Sequence, residues 1–502
     1  MMGGVGIELR MGILHNAAKQ QMLGPLLSHG WNASVVEESE DGEYLVIDAA
    51  KGAKKHSVAL MYTSATDNRH YRQLENRVSH IFTNGQLYHV EEYAKGIATP
   101  VSSLDDFFPL LVEWNSELAP PKLSKKIAKS PDTIVRIVSE NPLAGIWARL
   151  NQFSSSEVAK KLVRRRAERE GTVLGDEQVL SKASGIAFAL GNAADYYKGA
   201  PYESLNKRVL SLYYGTLSLA FAEMLAAPNG PSDLDHLEGM TKQGHGLFAL
   251  SSVTGHFGDL KVGVLATGFY PNWVSFLGYD TGFYPKAKAK SVSDLDNSDK
   301  YPSQSFAGMS VLLSAIPELW DLFTQVYDDE PAWVIPYFDM SSQRAQRAAN
   351  PSSSYILLKD RSNKISEARI ALQDWPLAEL TKVETTNDGE VFRARVDHQG
   401  LKSWHDALLL HRSPYLSSPA LILPVLGGVP EYRVTSLAIL YSLSILVRYM
   451  PSAWRRVEGG DWDQHLSVMR AVLDVFERIL PQQFLESISG ERVHTSLPGS
   501  LI

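Results

Sequence analysis

The chain has 502 residues, of which 44% are hydrophobic and 21% are charged, and its formal net charge is −7. These values are ordinary for a folded protein, and the acidic balance excludes a uniformly basic coat for nucleic acid. Because the sequence contains no cysteine, disulfides, thiol catalysis and cysteine-ligated zinc are excluded as well. The length allows roughly two to four domains.

Residues 1–118 alternate between helix and strand signals and predict an N-terminal α/β domain. We expect helices at 13–29, 67–80 and 103–115, and strands at 31–38, 44–50, 55–63 and 85–93. A stretch rich in proline and lysine then predicts an exposed linker over residues 119–130.

The order of these predicted elements is similar to that of the restriction-endonuclease-like fold, the PD-(D/E)xK superfamily. Such nucleases need an acid on the second strand and an acid-x-lysine pair on the third, to hold Mg²⁺ and activate water. Asp48 is available on the second strand, but Ala59 and Met61 occupy the positions of the acid and the lysine. Three interpretations stay open: a degenerate nuclease-like domain kept for binding or assembly, an unrelated α/β module, and an active metal-dependent nuclease using Asp41, Asp48 and Lys51.

Residues 131–502 predict a mainly helical region with a β-containing segment at about 255–400, so the predicted fold class is α+β. A helix over 202–227 has the wide apolar face of a central helix. Gly215 within it predicts the close approach of another helix, because glycine there costs about 1 kcal/mol relative to alanine. Further helices are expected within 131–152 and at 431–449 and 463–479, and strands at 353–359, 366–371 and 389–397.

Several separated motifs in this region share a pattern. They are Tyr213-Tyr214-Gly215, the turn Gly244 to Phe248, the segment Ile316 to Leu319, and the spaced residues Ser444, Arg448, Tyr449, Pro451 and Trp454. Taken together, the motifs resemble the YaaC-like family of bacterial proteins over roughly residues 140–490. The resemblance implies a fold more than a function, because the family brings no established reaction with it.

Four residues of these motifs are candidate ligand-binding residues: Tyr214, His245, Arg448 and Tyr449. Arg448 lies on an otherwise apolar helix and needs either an internal acidic partner, which we favour, or an anionic ligand. His245 lies between two glycines, where the backbone reaches unusual angles, and is a candidate ligand or proton carrier. Helix packing, a turn and an internal ion pair are the competing structural interpretations.

Two basic helices are candidate surfaces for nucleic acid. Their residues are Arg69 and Arg72 in the first, and Lys161, Arg164, Arg165 and Arg166 in the second. A solvated helix face is the competing interpretation of both clusters.

We predict a cytoplasmic protein, because no signal-peptide pattern is visible and the most apolar segment, 436–450, is shorter than the ~20 residues that span a bilayer. The leading hypothesis is a non-catalytic binding or scaffold protein that contacts nucleic acid or a partner protein. A role in bacterial antiviral defence follows only from fold-level analogy. The alternatives are a metal-dependent nuclease with a rearranged site and a nucleotide or small-anion sensor. No cofactor is predicted, Mg²⁺ belongs to the nuclease alternative alone, no membrane partner is expected, and an oligomer is left open.

Overall fold

The computed structural model shows an α+β protein, as the sequence predicts. It describes residues 3–28, 31–51, 54–62, 67–85, 90–107, 110, 111, 114, 134–250, 256–339, 353–367, 375, 377–386, 389–398, 401 and 403–499. The chain divides into two compact units, Met1–Ser124 and Lys125–Ile502. The predicted linker at 119–130 lies outside the described residues.

The first unit is built on a five-stranded sheet in which the strands follow chain order. Its elements are α1 Gly3–Ala18 with a π-helical continuation Lys19–Leu23, α2 Gly24–Ser28, β1 Asn32–Glu38, β2 Tyr44–Lys51, β3 Lys54–Tyr62, α3 Asn68–Leu74, β4 His80–Asn84, α4 Val90–Tyr93, β5 Val101–Ser103 and a 3₁₀ turn Leu104–Asp106. Strands β1 to β3 form an antiparallel meander, and β4 and β5 continue the sheet in parallel to β3.

The two faces of this sheet pack into separate apolar cores. Because successive side chains of a strand point to opposite faces, β2 and β3 supply both cores in turn. One core holds Leu14, Leu45, Ile47, Val58 and Leu60. The other holds Tyr44, Val46, Ala59, Met61, Tyr71 and Leu74. The near-continuous apolar run of each strand is explained by this burial on both sides.

Several predicted boundaries in the first unit are wrong. The helix expected over 67–80 ends at Leu74, because Asn76 takes a left-handed conformation with φ of +62°, and β4 follows at His80–Asn84. The first helix begins at Gly3 rather than at residue 13. In place of the strand expected over 85–93, the described residues 90–93 form α4, while residues 86–89 lie outside the described part. The helix expected over 103–115 begins as the 3₁₀ turn Leu104–Asp106, and much of the remainder is not described.

In its described residues the second unit is mainly helical, with a five-stranded, a three-stranded and a two-stranded sheet. Its elements are β6 Ile134–Val138, α5 Pro142–Gln152, α6 Ser156–Glu170, α7 Asp176–Gly199, α8 Leu205–Ala226, α9 Leu234–Lys242, β7 Leu247–Leu250, β8 Lys261–Val264, α10 Phe269–Phe276, β9 Phe306–Gly308, α11 Met309–Ser314, α12 Trp320–Tyr327, β10 Trp333–Phe338, β11 Ser353–Asp360, α13 Lys364–Glu367, β12 Leu377–Thr386, β13 Gly389–Asp397, α14 Trp404–Ala407, β14 Leu421–Ile422, α15 Tyr432–Tyr449, α16 Pro451–Gly459, α17 Gln464–Ser489 and β15 Arg492–Ser496.

Helix α8 is the centre of this unit, as its wide apolar face predicts. It packs against α7, α15 and α17, and most of its side chains from Val209 to Ala226 are buried. Among the described helices it is long and apolar enough by itself to cross a membrane, and 72% of its apolar window is buried inside the unit. Helices α15 and α16 would make a second span only across a bend of 105°. Burial of this extent is what a core helix of a folded unit shows.

The sheets of the second unit correct two further predictions. One sheet has the antiparallel order β12-β13-β11-β10-β14, a second has the order β7-β8-β9, and β6 pairs in parallel with β15. Residues 134–138, expected to be helical, form β6, whose sequence Ile-Val-Arg-Ile-Val is rich in the β-branched residues that favour strands. The strand expected at 366–371 is wrong for residues 366 and 367, which belong to the helix Lys364–Glu367. Residues 368–371 lie outside the described part. The strands near 353–359 and 389–397 are confirmed, as is the helix at 431–449, and the last helix runs beyond 479 to Ser489.

Candidate functional site

The four predicted ligand-binding residues come together in the second unit from three separate segments. Tyr214 lies on α8, His245 lies in the turn before β7, and Arg448 and Tyr449 end α15. Contacts between rings and cations join them into one cluster, which we call the Arg448 cluster: Tyr196, Tyr213, Tyr214, His245, Tyr441, Arg448 and Tyr449.

The Arg448 guanidinium has neutral partners. It donates from Nη1 to Tyr214 Oη at 3.1 Å, from Nε to the Ser444 carbonyl at 3.2 Å and from Nη2 to Ser444 Oγ at 3.2 Å. Its Cζ atom lies 5.0 Å from the Tyr449 ring centre and 6.0 Å from that of Tyr214. Among the described residues no carboxylate forms an ion pair with Arg448. The internal acidic partner that we favoured from the sequence is therefore not found among them. A guanidinium has five N–H donors, and these three bonds use three of them.

The turn that carries His245 is fixed by its backbone. Gly244 and Gly246 take φ angles of +106° and +76°, a region that favours glycine, as the sequence predicts. The carbonyl of Gly244 accepts the backbone N–H of Phe269 at 3.0 Å, and the carbonyl of His245 accepts that of Tyr270 at 3.0 Å. The turn therefore rests on the first residues of α10, which hold the imidazole beside α8 and α15.

The imidazole of His245 is neutral at pH 7. Burial lowers its pKa from the usual value, and the positive charge of Arg448 lowers it further. Its Nδ1 atom lies 2.8 Å from Tyr213 Oη, and burial raises the pKa of that phenol, which stays protonated. Tyr441 packs on both rings and donates its hydroxyl to the Leu247 carbonyl at 2.8 Å. Arg448 is therefore the charged member of the cluster.

Gly215 permits the close approach of α7 to α8, as the sequence predicts. A Cβ atom at this position would lie 2.7 Å and 2.8 Å from ring carbons of Tyr197 and 3.1 Å from the Cβ of Tyr196. The neighbouring Tyr196 ring stacks on Tyr214 with centroids 5.9 Å apart. Tyr196 and Tyr213 are cluster members that we did not predict, although each belongs to a Tyr-Tyr pair that was visible in the sequence.

The residues proposed for an active nuclease do not converge. Asp41 lies in the turn before β2, where it contacts His70 at 3.1 Å, whereas Asp48 lies in the second half of β2. With a rise of about 3.3 Å per residue, even Tyr44, the first residue of β2, is about 13 Å along the strand from Asp48. Strand alternation points Lys51 to the face opposite that of Asp48. Asp48 itself accepts a hydrogen bond from Ser57 Oγ at 2.5 Å.

The positions at which a nuclease would carry its acid and lysine hold apolar residues that solvent does not reach. Ala59 and Met61 are fully buried beneath Tyr71 and Leu74 of α3. Within the described ranges, no group of three or more His, Asp or Glu side chains is arranged to hold a metal ion. The geometry therefore gives no support to a metal centre at this face of the sheet.

The arginines of the first basic helix are held by their own turn. Arg69 donates to both carboxylate oxygens of Asp67, the N-cap residue. Its backbone N–H donates to Oδ1 at 2.9 Å and its Nε to Oδ2 at 2.8 Å. Arg72 donates from Nε to Asn68 Oδ1 at 2.7 Å. These contacts stabilise the N-terminus of α3.

The second basic helix, α6, uses its arginines to hold the end of α17. Arg166 donates from Nη1 to the carbonyls of Ser487 and Ile488 at 2.7 and 3.1 Å. Arg165 lies 3.7 Å from the Glu491 carboxylate, and Arg164 lies 2.9 Å from that of Asp176. Lys161 is exposed. Cations near the last carbonyls of a helix complement its dipole, so much of this cluster has a structural role.

A buried ion-pair network also escaped prediction. Glu223 on α8 is 2% exposed and accepts hydrogen bonds from Arg433, Ser487 and, at 2.9 Å, Trp273 Nε1. A lone acid on an apolar helix is the same signal that singled out Arg448, and here the required partner is present. The two residues differ in that Glu223 has a charged partner, whereas the described partners of Arg448 are neutral.

The fold and the site define an α+β protein whose larger, mainly helical unit carries a polar aromatic cluster around one arginine. The chain belongs to the YaaC-like family, because the family model described as YaaC-like Protein matches residues 151–488, well over half of its length. The matched range includes every residue of the Arg448 cluster, and the family predicted from the motifs is confirmed. No curated protein and no solved structure matches the chain.

Proposed function

We propose that this YaaC-like protein is a non-catalytic binding protein that holds a small anionic ligand at Arg448. The observation that carries the proposal is the half-buried guanidinium, whose described partners are two tyrosines and a serine rather than a carboxylate. A guanidinium that is partly withdrawn from water favours an anionic partner, and a phosphate or carboxylate would supply one.

The surroundings of Arg448 favour an anion in two further ways. His245 is neutral, so it adds a polar ring without competing for the ligand as a second buried cation. The rings of Tyr214 and Tyr449 flank the guanidinium, which keeps its planar fork oriented while donors remain for a planar or tetrahedral anion. A site of this composition can bind and orient an anion.

The other functional hypotheses have less support. Contact with nucleic acid or a partner protein stays a prediction, since Arg69, Arg164, Arg165 and Arg166 have structural partners while Lys161 is exposed. The nuclease alternative depends on Asp41, in the turn before β2, and on Asp48, in the second half of that strand. A cytoplasmic location and a role in defence likewise stay predictions.

The proposal is tested by thermal unfolding of the full chain in phosphate, sulfate and citrate at constant ionic strength. An anion that binds the folded state raises the unfolding temperature as its concentration increases. We expect Arg448→Gln to abolish this shift and Arg470→Gln, an exposed arginine on α17, to retain it. An equal shift in the Arg448 and Arg470 variants would refute binding at Arg448, and the absence of a shift in the wild type would refute the proposal for these anions.

A further inference from the structure

An open cavity adjoins the Arg448 cluster and shares one of its rings. The cavity has a volume of about 450 Å³ and is lined by Asn192, Asp195, Tyr196, Glu203 and Ser211. Tyr196 lines it and also stacks on Tyr214, which accepts the hydrogen bond from Arg448. The guanidinium and the cavity are therefore connected by two neighbouring tyrosine rings on α7 and α8.

The two ends of this surface have opposite electrostatic character. Arg448 supplies positive charge at one end, whereas Asp195 and Glu203 supply carboxylates at the other. Glu203 Oε2 accepts one hydrogen bond, from Ser211 Oγ at 2.6 Å, and a carboxylate has about four lone-pair sites. The carboxylates repel an anion and accept from hydroxyl groups, so a ligand that is anionic at one end and carries hydroxyl groups at the other complements both ends.

Exposed aromatic rings lie between and beside these two ends. The Tyr449 ring is 68% exposed next to the guanidinium, and Tyr196 is 40% exposed at the cavity. A planar heterocycle gains stacking energy on such rings, which an inorganic anion cannot.

From this arrangement we propose that the ligand is a nucleoside phosphate. Its phosphate binds Arg448, its base stacks on the exposed tyrosines, and its sugar hydroxyls donate to Asp195 and Glu203. The inference rests on the proposed anion site and deepens it, because it assigns the adjoining cavity and the chemical class of the ligand.

Titration calorimetry of the full chain with inorganic phosphate, ribose 5-phosphate and adenosine monophosphate tests the inference. One stacked base predicts that the mononucleotide binds about tenfold or more tightly than phosphate. Ribose 5-phosphate is expected to fall between them, since it carries the hydroxyls and lacks the base. Equal affinities for all three would overturn the nucleoside assignment while leaving the anion site in place, whereas no binding by any of them would overturn both.

Variants locate the two halves of the ligand. We expect Tyr449→Leu and Tyr196→Leu each to weaken binding of the mononucleotide by a larger factor than binding of phosphate, and Arg448→Gln to abolish both. Asp195→Asn should weaken ribose 5-phosphate, whereas Asp176→Asn, at the exposed start of the same helix, should not. Because Tyr449 is largely exposed, its variant remains informative even if Tyr196→Leu disturbs the packing on Tyr214. Unchanged mononucleotide affinity in Tyr449→Leu and Asp195→Asn together would refute the placement.

Discussion

Replacing Lys182 by methionine is expected to destabilise the second unit and to change how its stability depends on pH. Lys182 lies on α7 and is 2% exposed. Its ammonium donates to the carbonyls of Ala227, Gly230 and Pro231 at 3.0, 3.0 and 2.7 Å, with a longer contact of 3.5 Å to Leu225. These carbonyls follow or end α8, so the lysine caps the C-terminus of the central helix.

The expected loss at neutral pH follows from those carbonyls. Methionine fills a similar volume and offers no donor, so buried carbonyl groups lose their partner. Leaving a buried polar group unsatisfied costs about 1–3 kcal/mol. We therefore expect Lys182→Met to lower the free energy of unfolding by about 2 kcal/mol near pH 7.

The pH dependence has the opposite sign to that of a lysine in a favourable ion pair. Burial lowers the pKa of Lys182 from 10.5 to about 8, and the charge of Arg166 contributes in the same direction. Between these two values the unfolded chain binds more protons at this site than the folded chain, so the site's contribution to stability rises with pH. As the pH rises from about 8 to 10.5, the free energy of unfolding of the wild type should increase by up to about 3 kcal/mol relative to that of Lys182→Met.

Urea unfolding of the wild type and Lys182→Met at several pH values between 7 and 10.5 measures both effects. Lys198→Met, an exposed lysine at the other end of α7, is the matched control and should change stability by less than about 0.5 kcal/mol. A difference between wild type and Lys182→Met that shrinks as the pH rises above 8 would refute the lowered pKa.

Two further changes test the packing around the cluster and the basic helix. Gly215→Ala should destabilise the protein by about 1–3 kcal/mol, because the new methyl group meets the Tyr197 ring. Gly191→Ala on α7 has open space around the new methyl group and should stabilise the protein by up to about 1 kcal/mol. Urea unfolding that gives the same sign for both variants would contradict this. Arg166→Ala should cost about 2 kcal/mol through its lost bonds to the end of α17, and Arg164→Ala less than about 0.5 kcal/mol. Equal losses in thermal unfolding would show that Arg166 does not cap α17.

The four predicted members of the Arg448 cluster come from motifs that break a local rule, whereas Tyr196, Tyr213 and Tyr441 were not predicted. Gly215 inside a helix, His245 between two glycines and Arg448 on an apolar helix are all unfavourable for their element alone. The structure gives each of the three a packing reason. Gly215 lets α7 pack closely on α8, the His245 turn is hydrogen-bonded to the start of α10, and Arg448 donates a hydrogen bond to Tyr214. Ser444 lies one turn from Arg448 on the same helix, but the contact with Tyr214 was not predictable, because Tyr214 lies 234 residues away on another helix.

The errors arose where distant contacts override local pattern. Arg166 belongs to a run of charges that is typical of a solvated helix, yet its acceptors lie 321 and 322 residues further along the chain. Residues 134–138 became a strand because β15 supplies their hydrogen-bonding partner. Helix α3 ends early through the left-handed conformation of Asn76, which asparagine adopts readily and a periodic apolar pattern does not reveal.

The parallel pairing of β6 with β15 has a consequence for synthesis. Val135 pairs with Val493, so the first strand of the second unit obtains its partner only after the rest of that unit has been translated. At about 5–20 residues per second, the ribosome needs roughly 20 to 70 s to make the intervening segment. During that time the edge of β6 that later pairs with β15 has no strand beside it. The nascent chain therefore presents an unpaired, β-branched edge for the period in which chaperones engage such segments.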